Sequence, residues 1–121
     1  MPIVTVEIVG TAAAAPSGLA RTLADAIGRA LGVPAGSTWV RVRTLASDAY
    51  AENDTPASQT PAPVFVTVEE REPPHGDALV ARIAALTEAV ARACGRDAGI
   101  VHVEYAPPSA GRRAFGGRIV G

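Results

Sequence analysis

Residues 2–9 (PIVTVEIV) are dense in β-branched side chains and read as a strand opened by a proline. Residues 10–16 are small and read as a loop, with Ser17 as the N-cap of a helix running to about Leu31. Leu19, Leu23, Ile27 and Leu31 recur every fourth residue with Ala20, Ala24 and Ala30 beside them, forming one apolar stripe; Arg21, Asp25 and Arg29 lie off it. Gly32 stops this helix and Pro34 prevents its resumption. Residues 38–45 alternate, with Trp39, Arg41 and Arg43 on one face and Val40, Val42 and Thr44 on the other. A polar, proline-dotted connector covers residues 46–62.

The pattern then returns. Residues 64–70 (VFVTVEE) read as a strand, and 76–93 as a helix striped by Leu79, Ile83, Leu86 and Val90 and stopped at Gly95. Residues 100–105 read as a strand with Val101 and Val103 on one face and His102 and Glu104 on the other. The tail from Ala106 carries Gly111, Gly116 and Gly117 and ends in Arg118-Ile119-Val120. Val4-Thr5-Val6-Glu7 recurs letter for letter as Val66-Thr67-Val68-Glu69, and Val40-Arg41-Val42 matches Val101-His102-Val103.

A duplicated β-α-β unit is therefore expected: unit one over about 2–58, unit two over about 63–121, together one domain over 1–121. Each unit contributes a parallel strand pair joined by a right-handed crossover. The predicted fold class is α+β: tandem units related by a pseudo-two-fold, with a four-stranded sheet and two helices on one face. The other face would carry Arg41, Arg43, His102 and Glu104, which makes a purely intramolecular core there unfavourable; self-association into a ring or trimer would cover it.

Composition narrows the chemistry. The net charge is −1 and all eleven basic residues are arginine, which supports neither a nucleic-acid nor a membrane-surface partner and excludes a lysine Schiff base. Cys94 stands alone, ruling out an intramolecular disulfide and a cysteine-rich metal site; at a helix end it reads as a small buried hydrophobe. No apolar run is long enough to span a membrane, and no basic leader opens the chain, so a cytoplasmic protein is expected.

If Met1 is cleaved, Pro2 becomes a secondary amine that can take and return a proton near neutral pH. If Met1 is retained, the same residue is only a strand-opening proline. Val64, at the matching place in unit two, lies inside the chain, so one proline centre per chain is expected.

Pro2 opening the first strand, Val40-Arg41-Val42 in the second, and Gly111-Arg112-Arg113-Ala114-Phe115-Gly116-Gly117 near the end together resemble the tautomerase superfamily, over the whole chain. The tail is similar to the glycine-rich hairpin of the 4-oxalocrotonate tautomerase branch. The chain length and Tyr50-Ala51-Glu52-Asn53 are similar to the macrophage-migration-inhibitory-factor-like and fused branches. The resemblance implies a homotrimer with sites between subunits, a small carboxylic acid as substrate, and catalysis by the amino-terminal proline without metal or organic cofactor. It gives Pro2 the role of general base and Arg41 that of carboxylate ligand, with Arg43 on the same face as the alternative. Ala12 stands where small members carry a second arginine, and Arg71 resembles the arginine that fused members use instead.

By the resemblance, His102 and Glu104 occupy positions of a tyrosine and an asparagine in the cytokine-like branch; a cross-strand or intersubunit pair is the other reading for both, and more so for Glu104 than for His102. Phe115 matches the pocket-lining aromatic, and Tyr50 is a further candidate wall residue. Ser37 and Thr38 replace the acid of the decarboxylase branch, which argues against decarboxylation. The expected activity is a keto-enol isomerase. A dehalogenase or hydratase using Glu104 or His102 to activate water, and a non-catalytic trimeric binding module, are the alternatives.

Overall fold

A computed structural model describes residues 1–10 and 16–120; the predicted loop at 11–15, with Ala12, lies outside the described residues. Four strands form one sheet: β1 (Ile3–Val9), β2 (Trp39–Leu45), β3 (Val64–Glu69) and β4 (Val101–Tyr105), in the order β2-β1-β3-β4. Helices α1 (Leu19–Leu31) and α2 (Gly76–Cys94) cross over within the two units, and a small hairpin, β5 (Arg113–Phe115) and β6 (Arg118–Val120), closes the chain. β1 is parallel to β2, β3 is parallel to β4, and the units join through the antiparallel pair β1–β3. This is the tandem β-α-β sheet expected from the repeat.

Alternation decides which side chains enter the core. Val4, Val6 and Ile8 of β1 and Val64, Val66 and Val68 of β3 point one way and are buried. They meet Leu23, Ile27 and Leu31 of α1 and Leu86 and Val90 of α2 in a single cluster. Burying each such side chain is worth about 1.5–3 kcal/mol, so this layer between helices and sheet joins the two units alongside the β1–β3 pair. Leu19 sits half-buried at the edge of that cluster, and Leu79 and Ile83 are also only half-buried; Ala91 joins the core beside Val90 instead.

The pseudo-two-fold passes through the β1–β3 pair, where the repeated tetrapeptides face each other and Thr5 stands opposite Thr67. Here the register corrects the sequence alignment of the outer strands. Arg41 neighbours Thr5, and the residue neighbouring Thr67 is Glu104, not His102. Glu104 is thus the counterpart of Arg41, and His102 that of Trp39. The letter match misled because a shift of two residues preserves an alternating pattern. Gly32 and Gly95 lie 63 positions apart, as do Arg41 and Glu104, and this is the offset the packing follows.

A second correction concerns Ser17. It does not cap α1; the helix starts at Leu19 after Gly18, with no side-chain cap. The Leu19 N–H donates to the Pro16 carbonyl (3.1 Å), and Gly18 has φ 82° and ψ −3°. That is the third position of a type II turn, which requires a residue tolerant of positive φ. The Pro-Ser-Gly turn draws Ser17 away from the helix start.

Arg96, just past α2, ties three segments together. Its Nη1 donates to the carbonyls of Val9 (3.1 Å) and Ala62 (2.5 Å), at the end of β1 and just ahead of β3. Bonds from a charged donor contribute more than neutral ones, so Arg96→Ala should destabilise the fold by about 2 kcal/mol, read as a lower urea midpoint. An unchanged midpoint would show that these carbonyls are satisfied equally well by water. Among the described residues no helix is long and apolar enough to cross a membrane.

Candidate active site

The chain passes into β1 at Pro2, which is buried, and the Pro2 carbonyl accepts a hydrogen bond from the Trp39 N–H (3.1 Å). Since Ile3 stands opposite Glu69 and beside Trp39, continuing the register sets Pro2 between Thr38 and Glu70, and Met1 opposite Arg71. Glu70 is 8% exposed and points to the helix side, where Arg82 of α2 holds both its oxygens (3.0 and 3.3 Å). Pairing is what makes a carboxylate at this depth tolerable. Tyr105 lies in the same corner. Burial, then the Glu70 charge, pushes its phenol above the ordinary value, with Arg82 pulling the other way.

On the opposite side of Pro2 stands the β5–β6 hairpin. Its two-residue turn, Gly116-Gly117, has φ 59° and 85°, as a type I′ hairpin demands, so Arg113 and Phe115 share one face. Phe115 packs on Trp39 with ring centroids 4.7 Å apart, tilted by 43°. Arg113 lies with its Cζ 6.0 Å from the Phe115 ring centre, and its Nη1 donates to the Met1 carbonyl (2.6 Å). A cleft of about 640 Å³ opens beside them, lined by Ile3, Glu69, Pro107, Ser109, Arg112 and Arg113 among others. Nη2 of Arg113 and Oγ of Ser109 are buried without a hydrogen-bond partner.

No family model matches the chain, and no curated protein matches it in sequence. Solved structures do match in fold. One is a protein inactivated by 2-oxo-3-pentynoate, at 22% identity over 97% of this chain and 94% of that one, with a TM-score of 0.74. A fused 4-OT in the form of an asymmetric trimer is 23% identical over 95% and 94%, TM-score 0.69. Macrophage migration inhibitory factor from Trichinella spiralis is 15% identical over 96% and 97%, TM-score 0.70. The chain shares the fold of these structures along nearly its whole length.

Within this fold the sequence-predicted residues fall into two groups. Pro2, Phe115 and the backbone of Arg71 gather at one end of the sheet; Arg71 itself is exposed, and its carbonyl accepts from the Ala110 N–H (3.2 Å). The rest occupy the open face, in cross-strand rows. Arg41, Thr5, Thr67 and Glu104 form one row, in which Arg41 Nη2 donates to Thr5 Oγ1 (3.3 Å). Arg43, Glu7, Phe65 and His102 form the next. Arg41 and Glu104 end opposite sides of their row, about 14 Å apart at the usual strand spacing. His102 is five residues along from the level of Pro2, about 17 Å. Tyr50 packs against Phe65 at that far end (centroids 5.8 Å) and donates to Glu52 (2.7 Å). That hydrogen bond, with desolvation and the Glu52 charge behind it, raises the phenol above its ordinary value. Within one chain, His102, Glu104, Tyr50 and Arg43 do not reach Pro2.

Cys94 is half-buried, and desolvation raises its thiol despite the charge of Arg96, which suits packing and not nucleophilic attack. Among the described residues, no three His, Cys, Asp or Glu side chains cluster as a metal site would require. Sequence reasoning overlooked Arg113, Trp39, Glu70 and Arg82 as neighbours of Pro2. The alternation of Arg113 and Phe115 ahead of Gly-Gly was the one available sign, since it aims both at the same side of a hairpin. Nothing along the chain says where that hairpin docks.

Proposed function

We propose that this protein is a cofactor-independent tautomerase, acting in the cytoplasm, that moves a proton between oxygen and carbon in small 2-oxo or 2-hydroxy carboxylic acids. Pro2 is the base once Met1 has been removed. The carrying observation is the setting of Pro2, buried at the start of β1 beside the Trp39–Phe115 pair and a cleft edged by arginines. Burial disfavours the charged form of an amine, which brings an α-amine into the range where it both accepts and donates a proton. Arg41 and Arg71 are further guanidinium groups that serve carboxylates of the substrate, because a guanidinium gives two parallel donors to a carboxylate and stabilises developing enolate charge. Phe115 keeps water from the amine.

The reading includes a homotrimer. The open face leaves Arg41, Arg43, His102 and Glu104 exposed, and β6 exposes Ile119 (66%). A neighbouring subunit is the only source from which His102, Glu104, Tyr50 or Arg43 can join a given Pro2, and the fused 4-OT of like fold is a trimer. The inactivator of another protein of this fold, 2-oxo-3-pentynoate, is itself a small 2-oxo acid. Dehalogenation or hydration would in addition need Glu104 or His102 to hold a water at the proline, so isomerisation uses fewer parts.

Intact mass and one assay test the proposal together. The expected result is a native chain lacking Met1 that ketonises phenylenolpyruvate well above the buffer rate and releases no chloride from 3-chloroacrylates. Retention of Met1 on the native protein would remove the amine and with it the enzyme reading, leaving the binding module. Chloride release would move the assignment to a dehalogenase.

A further inference from the structure

We propose that Arg113 is the ligand for the substrate carboxylate nearest to Pro2, and that loss of Met1 exposes it in the same event that frees the amine. This rests on the reading of Pro2 as the base. Arg113 Nη1 donates to the carbonyl of Met1, the group that departs when Met1 is cut (2.6 Å). Nη2 already lacks a hydrogen-bond partner although the side chain is only 13% exposed. Glu69 approaches Nη2 at 3.8 Å, outside hydrogen-bonding range, and its side chain is 46% exposed. After cleavage both guanidinium nitrogens face the cleft without an acceptor, a geometry suited to the two oxygens of a carboxylate. Ser109 Oγ, buried and unpaired on the cleft wall, adds a third polar group.

Distance then defines the substrate class. An amide oxygen lies about 2.3 Å from its nitrogen, so Arg113 Nη1 is within about 5 Å of the Pro2 nitrogen. A carboxylate on Arg113 sits almost against the amine, and the carbon that Pro2 attacks or protonates lies within two or three bonds of that carboxylate. This selects 2-oxo acids and their enols reacting at C3 or C4 over acids reacting at a remote carbon. Arg41, three residues along β2 from the Thr38 level and about 10 Å away, suits the far end of a longer substrate.

A pair of alkynes tests the assignment. The Pro2 amine adds to C4 of 2-oxo-3-pentynoate: the N–C4 bond forms, one π bond opens toward the ketone, and the amine proton ends on C3, with no leaving group. The neutral ketone 3-pentyn-2-one undergoes the same addition without a carboxylate. With Met1-free protein confirmed by mass, Arg113→Gln should slow labelling of Pro2 by the acid roughly 10–100-fold and leave labelling by the ketone within about twofold. Arg113→Lys, which keeps the charge but not the fork, should fall between, and serves as the second variant if the glutamine form does not fold. Equal acid rates in wild type and variants, with the ketone still labelling, would overturn the role of Arg113 and leave Pro2 standing. Failure of both reagents to label Pro2 in the Met1-free protein would overturn the proline reading and this one with it.

Discussion

A form in which Pro2 remains acylated, made by keeping one additional residue ahead of it, should lose roughly 10²–10⁴-fold in kcat for phenylenolpyruvate ketonisation. An amide nitrogen has its lone pair in resonance with the carbonyl and does not accept a proton at neutral pH, so the loss is that of the whole general-base contribution. Pro2→Ala should lose less, because cleavage after Met1 would still leave an amine, now primary and without the ring that holds it in place at the buried start of β1. The order wild type, then Pro2→Ala, then acylated Pro2 separates a chemical role of the nitrogen from a packing role of the ring. Equal activity in the acylated form would dispose of Pro2 as the base. Because the reading also places sites between subunits, each form should be compared at matched oligomeric state and protein concentration.

Leu23→Ala should cost about 3–4 kcal/mol of stability, the largest effect expected from a single core truncation. Leu23 is fully buried at the centre of the layer between helices and sheet, among Val4, Val6, Val66, Val68, Ile27 and Leu86. The valines stand on hydrogen-bonded strands and are stiff at χ1, so the surroundings have little freedom to close over the cavity. Loss of transferred methyl groups and the unrelieved cavity therefore add. Val80→Ala is the comparison: Val80 is 68% exposed on α2, and removing a β-branched residue from a helix surface should leave stability within about 0.5 kcal/mol. Urea melts at one protein concentration would read both, and a Leu23→Ala cost below about 1 kcal/mol would mean that the helix layer is looser than described.

The burial of Leu23 was visible in the four-residue spacing of α1, and the four strands and the duplication were visible in the alternation and repeat of the strand segments. Periodicity reports which face of an element is apolar because burial acts on every turn or every second residue of it. The same property limits it. Matching Arg41 with His102 preserved the alternation while missing the true counterpart, Glu104, and only the hydrogen-bonded register distinguishes the two. Ser17 carried the chemistry of a cap, yet a local turn through Gly18 claimed the position first.

What the chain by itself determined was a duplicated β-α-β fold with an uncovered polar face, and a proline directly after Met1 at the start of the first strand. Those features are encoded locally, by spacing, by repeat and by position along the chain. The tertiary structure decided the strand order β2-β1-β3-β4 and the company Pro2 keeps. Arg113 reaches Met1 across 112 positions, and Phe115 reaches Trp39 across 76, because a terminal hairpin docks on the end of the sheet. Such contacts depend on how finished elements fit together, and no local pattern carries that information.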